Sequence, residues 1–65
     1  MTDKEKIGKM IKAERKRRKI TQTQLADKLK TNRTSVSDWE KGKALPVATL
    51  FVALVKELKL DVYKM

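Results

Sequence analysis

The stretch from Ile20 to Pro46 reads ITQTQLADKLKTNRTSVSDWEKGKALP, and its punctuation decides the fold. Thr21-Gln22-Thr23-Gln24 has the form of a capping box, in which a Thr side chain meets the amide three residues on and a Gln at that position reaches back. Leu25, Ala26 and Leu29 follow as a narrow apolar stripe, so the spacing predicts a helix of about two turns. Only Lys30-Thr31-Asn32 separates it from the next helix, for which Asn32 is a good N-cap. In that next helix Val36 and Trp39 point one way, while Arg33, Thr34, Ser37 and Asp38 point another. Gly42 follows the last helical residue and suits the left-handed backbone that ends helices. So short a connection fits two helices that cross steeply, not a hairpin of long antiparallel ones.

Upstream, Thr2-Asp3-Lys4-Glu5 repeats the capping-box form. Ile7, Met10 and Ile11 recur at helical spacing, and Arg15 continues the same face. That helix is expected to end near Arg18. Downstream, a helix starts next to Pro46, a residue tolerated in a first turn, and runs to about Leu58. Leu60 and Val62 carry the apolar pattern into a short tail. Gly8, Gly42 and Pro46 are the only Gly and Pro residues, and no linker, repeat or low-complexity tract divides the chain. The expectation is a single all-α domain over residues 1–65, a compact bundle of four to five helices, with the tight helix pair at about 21–41.

Composition removes whole classes of function. The 65 residues include no Cys and no His. Disulfides, thiolate metal sites and the commonest general base and metal ligand are therefore absent, and no enzyme activity, metal or cofactor is expected. No apolar run approaches the ~18 residues needed to cross a bilayer. No apolar segment follows the basic N-terminus as it would in a secretory signal. A cytoplasmic, nucleoid-associated protein is expected, with no membrane partner and no small-molecule ligand. The length is read as leaving no room for a ligand-sensing or protease-like domain.

The charge identifies the partner's sign. Lys and Arg number 17 against 8 Asp and Glu, a net of +9. Residues 1–43 hold 14 and 6 of these, a net of +8, while residues 44–65 hold 3 and 2, a net of +1. The density peaks in KAERKRRK, Lys12 to Lys19. Such a run is a solvated helix face in many proteins and an electrostatic footprint for nucleic acid in others. A basic helix on a lipid surface fits poorly, because few large apolar residues and no Trp or Phe flank the run. Trp39 belongs to the core by its spacing from Val36. With Phe51 and Tyr63 the only other aromatics, single-stranded nucleic acid has no stacking platform here.

Taken together, Thr21-Gln22, Leu25-Ala26, Leu29, Asn32 to Ser37, Trp39-Glu40-Lys41-Gly42 and Pro46 resemble the helix-turn-helix domain of the phage repressor/Cro family, also called the xenobiotic-response-element family. Ile7-Gly8, Ile11 and Arg15 fit the first helix of that family, and Leu58, Leu60 and Val62 its closing segment. The resemblance implies a lambda-repressor-like DNA-binding bundle whose helix beginning after Asn32 enters the major groove. On this reading Arg33 forks onto guanine O6 and N7, Thr34 sets its methyl against thymine, and Ser37 and Asp38 meet base edges one turn further on. Asp38 suits the cytosine amine and repels phosphate. Gln22, Asn32, Lys41 and Lys43 are expected on phosphates, where they fix register without reading sequence. The family pairs an Arg and a Glu where Arg15 and Glu40 stand, which implies a partly buried structural ion pair. Two departures stand out. Lys19 and Lys30 occupy positions where members usually carry Gly.

Val47 to Val55 reads VATLFVALV, apolar at every position but Thr49. One inward face uses Phe51, Leu54, Val55 and Leu58, and the surplus needs cover. Leu50, Val62, Tyr63 and Met65 are assigned to a homodimer interface. The resulting expectation is a sequence-specific regulator of transcription, a Cro-like or small phage-type repressor that binds a pseudo-palindromic operator in double-stranded DNA as a dimer. A competing reading gives the main task to binding a second regulatory protein through helix four and the tail, as an antitoxin or adaptor does.

Overall fold

The computed structural model describes residues 3–60; Thr2, and with it the expected first capping box, and Val62, Tyr63 and Met65 lie outside the described residues. Four helices, α1 (Asp3–Arg17), α2 (Gln22–Leu29), α3 (Arg33–Glu40) and α4 (Ala48–Leu58), account for the regular structure, and there is no strand among the described residues.

Local chemistry sets each boundary. At the start of α2 the Thr21 Oγ1 accepts from the Gln24 amide at 3.0 Å, and the Gln24 Oε1 accepts from the Thr21 amide at 2.9 Å. Both halves of the capping box are made. Asn32 Oδ1 accepts from the Ser35 amide at 2.8 Å and starts α3. The start of α4 differs from the expectation. Pro46 lies ahead of the helix and is buried, and Val47 is the N-cap, with no side chain to satisfy the first amides.

All four helices stop in the same way. An amide beyond the last turn donates back to a carbonyl five residues earlier: Ile20 to Arg15 at 3.1 Å, Thr31 to Ala26 at 2.9 Å, Lys43 to Asp38 at 2.9 Å and Leu60 to Val55 at 3.2 Å. This Schellman closure needs a left-handed residue just before the donor. Those residues are Lys19 (φ 58°), Lys30 (φ 57°), Gly42 (φ 75°) and Lys59 (φ 50°). The two lysines that stand where the family usually has Gly thus hold a glycine backbone geometry, and Lys59 makes a third.

Ile7 and Ile11 of α1, Leu25, Ala26 and Leu29 of α2, Val36 and Trp39 of α3, and Leu54 and Leu58 of α4 form the core, closed by Leu60. Trp39 is 4% exposed and packs inside, as its spacing predicts. Arg18 ties the end of α1 to the end of α4 by donating from Nη2 to the Leu58 carbonyl at 3.2 Å. α1 and α3 pack closely because Gly8 lies against the end of α3. A Cβ there would strike the Trp39 carbonyl oxygen and come within 2.9 Å of the Glu40 carbonyl oxygen. Leu50, four residues before Leu54, packs against the core on one side and is half-buried. Among the described residues the exposed large apolar side chains are Leu45 (45%), Val47 (63%) and Val52 (54%). No helix among the described residues is long and apolar enough to cross a membrane.

Glycine exchanged in opposite directions checks this account by thermal unfolding. Lys30→Gly relieves a left-handed side chain and is expected to stabilise by about 1 kcal/mol, a rise in Tm of about 4–8 °C for a domain this small. Gly8→Ala forces two helix backbones apart and is expected to cost about 3 kcal/mol.

Candidate nucleic-acid interface

The tight pair α2–α3 leaves one side of α3 facing solvent. Asn32, Arg33 and Thr34 at its start are exposed, and Ser37 and Asp38 one turn later are half-buried. The opposite side is fixed by Val36 and Trp39 in the core. Lys41 and Lys43, both exposed, flank Gly42 beyond the helix end. The amide oxygen of Asn32 is engaged in capping, so its amide nitrogen is the donor left for an outside partner.

Arg15 and Glu40 are brought together across the core. Arg15 Nε donates to Glu40 Oε2 at 2.6 Å and Arg15 Nη2 to Oε1 at 3.1 Å, a two-pronged pair. Their side chains are only 11% and 3% exposed. The third nitrogen, Nη1, donates to the Ile20 carbonyl at 2.8 Å, so this guanidinium also holds the turn between α1 and α2.

Gln22 extends this cluster to the surface. Its Nε2 donates to Glu40 Oε1 at 3.1 Å, and its Oε1 accepts from Arg33 Nη1 at 3.3 Å. The sequence placed Gln22 and Arg33 in separate roles and carried no sign of this contact. Around Gln22 lies an open cleft of about 520 Å³, walled by Arg15, Lys16, Lys19, Ile20, Thr21, Thr23 and Arg33. The N-terminus of α2 faces it, and unpaired helix-start amides attract anions. Lys16 and Thr23 were not singled out from the sequence. The signal was there in outline, since Lys16 lies within the densest basic run and Thr23 adjoins Gln22. Lys19 closes the same basic run.

The other cations of that run are partly committed. Arg17 donates to Glu14 at 2.8–3.3 Å. This bond, aided by the attraction of the Arg17 and Arg18 charges, holds the Glu14 carboxyl below its usual range, while Glu14 in turn raises Arg17. Arg18 is turned toward α4.

Comparison with known proteins places this geometry. The helix-turn-helix family profile matches residues 11–64. The ImmF control region 10 kDa protein of Bacillus phage phi105 is 39% identical over 67 aligned residues, covering 100% of this chain and 74% of the relative. The HTH-type transcriptional regulator DicA of Escherichia coli strain K12 is 43% identical over 53 residues, which is 82% of this chain but 39% of DicA. Among solved structures, the restriction-modification controller protein C.AhdI from Aeromonas hydrophila has a TM-score of 0.81 at 22% identity, covering 91% of this chain and 86% of its own. The clp gene regulator ClgR from C. glutamicum has a TM-score of 0.82 at 20% identity, with coverages of 94% and 78%. These last two likenesses concern the fold.

Removing one partner of a buried ion pair strands the other. Glu40→Gln is expected to cost about 3 kcal/mol in chemical denaturation, against a few tenths for the same change at exposed Glu57. Equal, small losses at both positions would mean that solvent screens the pair.

Proposed function

This chain belongs to the helix-turn-helix family of the phage repressor and Cro type and is a DNA-binding transcriptional regulator, and we propose that it binds a pseudo-palindromic operator as a dimer and represses by blocking RNA polymerase. The observation that carries the reading is the exposed polar start of α3, capped by Asn32 and set on a buried ion pair. A helix fits the major groove, and its first residues meet the base edges. Arg33 has a planar fork suited to guanine, and Thr34 carries a methyl suited to thymine. Ser37 and Asp38 complete the reading face. Gln22, Asn32, Lys41 and Lys43 contact phosphates on either side and set the register.

Dimensions favour two copies. The longest axis of one chain is 27 Å, and successive major grooves on one side of the duplex are about 34 Å apart. One chain carries one reading helix and cannot span them. The exposed Leu45 and Val47 lie just before α4 and Val52 lies within it, in the same stretch of chain as Leu50, which with Val62, Tyr63 and Met65 is assigned to the interface. Paired about a two-fold axis, this side of the molecule covers its own apolar surface. The same patch supports the second reading, in which a different regulatory protein covers it.

Selection of bound sites from random duplex DNA tests the function directly, and a two-fold symmetric consensus is expected. With about 6–8 phosphates neutralised per dimer, log K for the selected site falls against log salt with a slope of about −5 to −7. Arg33→Ala is expected to cost about 1–3 kcal/mol and to relax one base pair of each half-site, whereas Lys43→Ala weakens all sequences alike. A slope near zero would exclude DNA as the partner.

The dimer has its own measurement. Sedimentation of the saturated complex is expected to give two chains per operator. A charge introduced at Val52 is expected to lower cooperativity while helicity is kept. One chain bound to a site without internal symmetry would rule the dimer out.

A further inference from the structure

Three helix ends in this chain set a lysine where the backbone is left-handed: Lys19 (φ 58°), Lys30 (φ 57°) and Lys59 (φ 50°). Glycine adopts that backbone freely, as Gly42 does at the fourth end, whereas a side chain strains it. Strain of this kind is held where the surrounding structure enforces it, and it clusters at binding sites. All three lysines are exposed, but their surroundings differ. Lys19 alone of them lines the open cleft of about 520 Å³, beside Arg15, Lys16 and Arg33, and no Asp or Glu lines it. Lys16 and Lys19 have no ion-pair partner among the described residues, whereas Arg15 is paired with Glu40, and Arg17 and Arg18 are drawn to Glu14. The turn that carries Lys19 is held from both sides. The Lys19 amide donates to the Lys16 carbonyl at 2.9 Å and the Ile20 amide to the Arg15 carbonyl at 3.1 Å, while Arg15 Nη1 donates to the Ile20 carbonyl at 2.8 Å. The buried guanidinium thus pins the residue after Lys19, and Lys19 keeps both its left-handed backbone and its place on the cleft wall.

We infer that Lys19, with Lys16, binds a backbone phosphate of the duplex at this cleft, a contact separate from those of Gln22, Asn32, Lys41 and Lys43, and that the strained backbone at Lys19 is kept for the charge it places there. The inference rests on the reading of duplex DNA as the partner. A phosphodiester carries one negative charge and has no hydrogen to donate. A lysine ammonium is a compact point charge with three rotatable donors on a flexible stem, so two of them meet a phosphate without demanding one orientation. A wall without carboxylates does not repel it. Such a contact reads no sequence; it strengthens binding to every duplex and releases further counterions. Lys30 and Lys59 carry the same backbone strain away from the cleft, so they separate the effect of strain from the effect of place.

The experiment combines thermal unfolding of the full chain with the salt dependence of its binding to two probes, the selected operator duplex and a random-sequence duplex. Lys19→Gly is expected to raise Tm by about 4–8 °C as the strain is relieved. It is also expected to weaken both duplexes by the same factor, on the order of tenfold, with a slope of log K against log salt shallower by about one for each bound chain. Lys19→Gln keeps the strained backbone and removes the charge. It is expected to leave Tm unchanged and to reproduce the loss of slope. Lys30→Gly and Lys59→Gly are expected to raise Tm as Lys19→Gly does, with the slope kept. An unchanged slope in Lys19→Gln, weakening confined to the operator, or an equal loss of slope in the Lys30 and Lys59 variants overturns the inference and leaves Lys19 one charge in a diffuse field. An unchanged Tm in Lys19→Gly overturns the link between strain and charge. A slope near zero in the unaltered chain overturns DNA as the partner, and the inference with it.

Discussion

The Arg15–Glu40 ion pair is the constraint on which the rest of this structure depends. A buried charge pair is a poor source of net stability, since desolvation offsets most of the attraction. Its value lies in geometry. Three nitrogens of one guanidinium are committed to fixed acceptors, two on α3 and one in the turn before α2. The remaining demand of the carboxylate then orients a residue on α2. Three helices are registered by one cluster, which apolar contacts alone would leave free to slide. In a protein whose core is a handful of aliphatic side chains and one Trp, such directional contacts decide how α2 and α3 are set against α1.

Most of the local structure was legible in the residues because its causes are local. The Thr21 box, the Asn32 cap and the Gly42 stop each depend on groups within a few positions, and each boundary follows from them. The phase of α1 and α3 followed from the spacing of Ile7, Ile11, Val36 and Trp39. What stayed out of reach was set by distant parts of the chain. Nothing near Gly8 announces that the end of α3 passes against it. Arg15 and Glu40 are 25 positions apart and were matched through resemblance to a family. The bond from Arg33 to Gln22 needed the crossing of two helices to be known. The contact of Leu50 with the core was not legible either, because an almost wholly apolar segment hides its own phase; the packing of Leu54 and Leu58 resolves it.

The candidate surface divides along the same line. The exposed start of α3 followed from an N-cap and the inward spacing of its neighbours, and the residues named for base contact lie there. The cleft beside Gln22 draws on α1, α2 and α3 together. Composition foretold its basic character but not its membership. Of the basic run in α1, Lys16 faces this cleft, while Arg17 is bound to Glu14 and Arg18 to the end of α4. A run of like charges in sequence is thus shared among three different tasks in space.

The unguarded start of α4 has a consequence for motion. The first four amides of any α-helix lack partners within it unless a side chain or neighbour supplies one, and the Val47 side chain supplies none. Loss of such a cap weakens a helix end by about 1 kcal/mol. Leu45 and Val47, just ahead of that start, also expose large apolar groups to water. Opening of the chain around them costs less than opening of α2 or α3, since fewer buried contacts are lost. Its amides are therefore expected to exchange with solvent sooner than those of α2 and α3. The chain thus carries an apolar edge whose backbone opens more readily than its helix pair, so that burial of that edge, whatever covers it, would register as a gain of order.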